Sequence, residues 1–101
     1  MATFTKSLEK SISNAFALAT EKNHQYVTLE HLLFSLMDEE DAQNVMKACS
    51  VDIGLLRENL EHYIDHELDN IVNSEKISDP QPTAGFQRVI QRSIVHVQSS
   101  G

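Results

Sequence analysis

Apolar side chains recur at three- and four-residue spacing through most of this chain, and that periodicity restricts it to helices packed on helices. Phe4, Leu8, Ile12, Ala15, Phe16 and Ala19 form a first stripe ending near Lys22 and Asn23. Leu29, Leu32, Leu33, Leu36 and Met37 form a second, read as fully core-facing, with the Thr28 hydroxyl placed to cap it. Asp41 is the candidate cap of a short third helix with Val45, Met46 and Cys49 inward. Asp52 is the candidate cap of a fourth, whose buried face is Ile53, Leu56, Leu60, Ile64 and Leu68. Only three Gly and two Pro interrupt the pattern, and no stretch alternates with period two long enough to predict a strand.

The polar stretch from Asn70 to Pro82 breaks the periodicity, and Asp79-Pro80-Gln81-Pro82 enforces an extended path. Thr83 then caps a fifth helix carrying Phe86, Val89, Ile90, Ile94 and Val97. The chain is therefore expected to be all-α and a single domain: four helices over 1–70, a linker over 71–82 and a fifth helix over 83–101. Slid by 78 residues, Leu8, Ile12, Phe16 and Ala19 fall on Phe86, Ile90, Ile94 and Val97, an echo consistent with the start of a second helical repeat. A fifth helix of this kind exposes Phe86, Ile90 and Ile94 unless it packs back on the first four helices or on a second copy in a homodimer.

Charge narrows the partners. A formal net charge of −7, concentrated in Asp38-Glu39-Glu40-Asp41 and from Glu58 to Asp69, repels phosphate backbones and anionic lipid. Neither nucleic acid nor a membrane surface is an expected partner, and the Arg88/Arg92 pair is too small to reverse this. The single Cys49 excludes an intrachain disulfide and points to a reducing compartment; beside Ala48 and Val51 it reads as a small hydrophobe. With no long apolar run at the amino terminus, the expected location is the cytoplasm.

The residues make no positive case for catalysis. No Gly-Lys-Ser/Thr occurs, and three Gly residues cannot build a phosphate cradle. No cofactor is expected. His62 and His66, at i and i+4 with Asp65 beside them, share a helix face on which a metal could sit, but Tyr63 stands where a zinc protease needs Glu. His24 and His31 flank the first interhelix loop, and the reading for all of them is a solvated role.

Several runs are more specific than periodicity. Asn14 to Ala19 followed by Tyr26-Val27-Thr28-Leu29-Glu30-His31-Leu32-Leu33, then Ala48 to Asp52, Gln81-Pro82-Thr83 through Arg92, and His96 to Gly101 together resemble the amino-terminal domain of ClpA-type AAA+ unfoldases. The resemblance covers essentially the whole chain. It implies a pseudo-twofold pair of four-helix repeats, here truncated to the first repeat and the first helix of the second, and a non-catalytic interaction domain mobile above ATPase rings. The implied partners are the adaptor ClpS, the substrate proteins it delivers, and the ClpP protease through the rest of a parent chain. The adaptor contacts it implies are Glu30, Thr83, Gln25 and Pro82. It also aligns His24 and Asp65 with positions that hold zinc in relatives, although Asp65 is shorter than the usual Glu. The alternative reading is a free-standing accessory subunit of a Clp protease.

Overall fold

The computed structural model describes residues 6–76 and 79–100, with side chains through Ser93. The elements are α1 (Lys6–Glu21), β1 (Tyr26–Val27), α2 (Leu29–Leu36), α3 (Glu40–Ala48), α4 (Ile53–His66), a 3-10 turn (Asp69–Ile71), β2 (Gln81–Pro82) and α5 (Ala84–Ser100). The chain is an all-α bundle, as the periodicity predicts, with one two-stranded parallel ladder that the periodicity does not reveal. Phe4 lies outside the described residues, and so do the side chains of Ile94 and Val97.

Helix ends are set by local chemistry. Thr28 caps α2, its hydroxyl accepting the His31 N–H while the His31 ring accepts the Thr28 N–H, a capping box with His in the place usually held by Glu. The Asp52 carboxylate accepts the Leu55 N–H and caps α4. The Thr83 hydroxyl accepts the Phe86 N–H and caps α5. At the other ends, α1 and α3 close in Schellman turns. Asn23 adopts φ 58° while the His24 N–H reaches the Ala19 carbonyl at 2.8 Å; Ser50 adopts φ 61° while the Val51 N–H reaches Met46 at 2.9 Å.

The core sits between α1, β1, α2 and the start of α5. Ala15, Ala19, Val27, Leu32 and Phe86 are buried together, with Ile12, Phe16, Leu36 and Ile90 packed against them. The two small residues of α1 allow α2 to come close, and Phe86 reaches into the same cluster, meeting Phe16 edge to face at 5.7 Å. The fifth helix thus packs back on the preceding elements through Phe86, which is only 3 % exposed and lies among residues of α1, β1 and α2.

Three expectations are corrected. The cap of α3 is Glu39, whose Oε2 accepts the Ala42 N–H at 2.7 Å, and Asp41 lies inside the first turn. No residue of α3 is buried: Val45 is 63 % exposed, and Cys49, exposed at the C-cap, does not act as a core hydrophobe. The stripe places Val45 and Cys49 on the apolar side of α3, but no described element covers that side. On α2, Leu29 is exposed, because the face turned inward carries His31, Leu32 and Ser35. None of the described helices is long and apolar enough to cross a membrane.

Candidate docking surface

The Schellman turn at Asn23 reverses the chain after α1 and delivers residues 24–28 across the end of the bundle. Two later segments bond to this strand. On one side the Gln25 N–H donates to the Ile71 carbonyl at 2.7 Å, His24 bridges Val72 in antiparallel fashion, and the Asn73 N–H donates to the Asn23 carbonyl at 3.0 Å. The Asn23 side-chain amide also donates to the carbonyls of Asn73 and Glu75. On the other side β2 runs parallel to β1, with Tyr26 opposite Gln81 and Val27 opposite Pro82. The Gln81 N–H donates to the Gln25 carbonyl at 3.1 Å and the Thr83 N–H to the Val27 carbonyl at 3.0 Å. The stretch joining α4 to α5 is therefore anchored at both ends to the loop after α1.

This ladder brings Gln25, Pro82 and Thr83 together, although more than fifty positions separate the first from the others. Gln25 is exposed, and Pro82 and Thr83 are half-buried. Glu30, half-buried, stands in the first turn of α2 immediately after the ladder, where the helix dipole favours a carboxylate. Tyr26 and Leu29 are exposed between them, and Leu29 reaches the first turn of α5 at Gly85. Exposed Tyr26 and Leu29 thus stand in one stretch with Gln25 and Glu30, next to the Pro82–Thr83 segment, on backbone that is hydrogen-bonded from both sides. Pro82 also marks one end of a shallow apolar groove of about 300 Å³ between α1 and α5, lined by Ile12, Phe16, Phe86 and Ile90.

Thr83 serves two ends here, since its hydroxyl caps α5 and its N–H closes the ladder. Thr83→Ala is expected to lower the unfolding free energy by about 1 kcal/mol, the usual cost of losing a side-chain cap. Thr83→Ser, which keeps the oxygen, is expected to recover most of it; urea melts of the two variants make the comparison.

Behind the patch lies the His24–His31 pair, which corrects the solvated role expected of it, because both rings turn inward and bond to each other. His31 is 0 % exposed and His24 2 %. His31 Nδ1 faces the Thr28 N–H at 2.9 Å, and a backbone N–H can only donate, so Nδ1 carries no proton. The proton is then on Nε2, which donates to His24 Nδ1 at 2.8 Å. One backbone amide thereby fixes the tautomers of both rings. Burial pushes the His31 imidazole down to about 4, with the nearby His24 adding to the effect. Burial, then the Lys22 ammonium, lowers His24, partly opposed by Asp65 and Asp69. The capping-box position of His31, three residues after Thr28, is the sequence signal that would have found this pair.

The metal candidates separate into two places. His24 and Asp65, the pair that the family resemblance singles out, are engaged within the chain: His24 Nδ1 with His31, and Asp65 with the Lys22 ammonium at 2.7 Å, a hydrogen bond that raises the Lys22 pKa. His62 and His66 lie exposed on α4 with ring centroids 4.6 Å apart. Among the described residues no group of three or more His, Cys, Asp or Glu side chains gathers as a metal site.

Comparison with known proteins agrees with this architecture. A ClpA homolog protein of Fuscovulum blasticum is 53 % identical over 98 residues, which is 97 % of this chain and 12 % of that protein. Chaperone protein ClpB of Bacillus anthracis is 36 % identical over 62 residues, 59 % of this chain and 7 % of the relative. Chaperone protein ClpB of Chlamydia pneumoniae is 29 % identical over 93 residues, 90 % of this chain and 10 % of the relative. The chain thus spans about an eighth or less of the length of these relatives. Residues 3–101 match the family described as the Clp repeat (R) N-terminal domain. With its helical bundle, its Thr28 to Leu33 cap and helix start, and this match over nearly every residue, the chain belongs to the Clp amino-terminal domain family.

Proposed function

We propose that this chain is the docking domain of a ClpA-type unfoldase, a cytoplasmic protein-interaction module without chemistry of its own. Its partner is a ClpS-type adaptor, which brings substrate proteins to an unfoldase that feeds the ClpP protease. The observation that carries the reading is the parallel ladder that gathers Gln25, Pro82 and Thr83 beside Glu30 and exposed Tyr26 and Leu29. Exposed apolar side chains among polar groups suit a protein interface. Backbone held from both sides loses little freedom on binding, so more of the contact energy appears as affinity. The Glu30 carboxylate on this face suits an adaptor that presents a basic group to it.

Calorimetric titration of the folded chain with purified ClpS-type adaptor tests the proposal. One-to-one saturable binding is expected. Glu30→Lys is expected to weaken it by about tenfold or more while lowering the unfolding free energy by about 1 kcal/mol, the cost of putting a cation in place of a carboxylate in the first turn of α2. Unchanged affinity in that variant removes Glu30 from the surface, and absence of binding by a folded sample overturns the docking role.

A further inference from the structure

We propose that His62 and His66 form a two-imidazole chelate on the outer face of α4 for a divalent ion of the zinc, nickel and copper class. Spacing of four puts the two side chains one turn apart on one helix face. The structure has already gathered the rings, with centroids 4.6 Å apart and planes inclined by 57°. Two imidazole nitrogens sharing a tetrahedral zinc at the usual bond length lie about 3.3 Å from each other. Two side chains one turn apart on a helix can bring their ring nitrogens to that separation by side-chain rotation alone, with no change in the helix. The helix itself is held: Asp52 caps its start, and Leu60 and Ile64 bury the opposite face.

The surroundings favour a cation. The groove containing both rings is lined by Glu58, Asn59, Glu61 and Asp65, and no Lys or Arg lines it. Asp65 already neutralises Lys22, so that ammonium does not oppose an incoming ion, and Asp65 is not counted as a ligand. Imidazole donors select the borderline transition ions over magnesium and calcium, which prefer oxygen cages. With two protein donors the ion keeps water in its other positions, so the site is exchangeable and open to a third ligand, unlike a closed structural zinc site. This site is separate from the buried His24–His31 pair.

The test is calorimetric titration of the chain with zinc chloride in a weakly coordinating buffer, on the wild type and on Cys49→Ser, which removes the exposed thiol as a competing donor. One ion per chain is expected in both. His62→Ala or His66→Ala in the Cys49→Ser background should each weaken binding by about tenfold or more, and the double substitution should abolish it. Circular dichroism should show unchanged helix content in every variant, since both side chains are exposed. Zinc should raise the melting temperature of the Cys49→Ser chain and leave that of the double-histidine variant unmoved. Failure of the Cys49→Ser chain to bind zinc overturns the proposal, and so does binding that survives loss of both histidines.

Discussion

Phe86→Ala lowers the unfolding free energy by about 3–5 kcal/mol, the range for truncating a buried aromatic. Among the described side chains of α5, Phe86 is the large one buried in the core, where it lies among Ala15, Ala19, Val27 and Leu32. Those neighbours are small or come from rigid elements, so they cannot close over the gap, and the edge-to-face contact with Phe16 is lost as well. Each kcal/mol shifts the midpoint by about 4–8 °C in a chain of this size, so a fall of about 12 °C or more is expected in a thermal melt. The control is Val89→Ala on the exposed side of the same helix, expected to stay within about 0.5 kcal/mol. Equal small effects in the two variants would mean that α5 does not close the core of the isolated chain. The docking patch would then lose its second wall, because Pro82 and Thr83 are placed by the same helix start.

What could be read from the residues follows how local each signal is. The caps at Thr28, Asp52 and Thr83 are legible because a hydroxyl or carboxylate bonds an amide three residues on. The stripes of α1 and α4 are legible because their partners lie on one side only. Val45 and Cys49 are exposed against expectation because periodicity reports an apolar side without reporting whether anything packs there. His31 and Ser35 went unseen as core because the buried face of α2 includes polar atoms that the cap, the His24 ring and the His31 carbonyl satisfy internally. The ladder is two residues long on each strand, too short for alternation, and only Pro80 and Pro82 hinted at extended backbone. Gln25, Glu30, Pro82 and Thr83 were singled out by family resemblance alone. Their adjacency depends on long-range backbone bonds that no local pattern encodes, and the Schellman turn at Asn23 is the one local device that makes those bonds reachable.

Acid is expected to loosen the protein through the histidine pair well before the carboxylates dominate. Neither inner nitrogen accepts a proton without breaking a bond: a proton on His31 Nδ1 would confront the Thr28 N–H, and one on His24 Nδ1 would confront the His31 Nε2–H. The folded state therefore holds His31 neutral down to about 4, whereas in the unfolded chain it titrates near 6.5. Above the unfolded value both states are neutral and the stability is fully present. As pH falls below it, the unfolded state takes up the proton first, so stability is lost progressively through the window from about 6.5 down to about 4. The loss from His31 amounts to about 2 kcal/mol by pH 5 and about 3 kcal/mol across the whole window, and the lowered His24 acts in the same direction. Urea melts at pH 7.5, 6.5, 5.5 and 5.0 measure it. His31→Gln supplies the comparison, since a glutamine oxygen at that capping-box position still accepts the Thr28 N–H but takes no proton in this range. The wild type should lose stability more steeply than His31→Gln between pH 6.5 and 5.0, and the two profiles should run parallel above pH 7. Parallel profiles throughout would show that the buried ring is not what couples this fold to acid. The steeper wild-type profile would tie proton uptake directly to the α2 cap, and through it to the strand on which the docking patch is built.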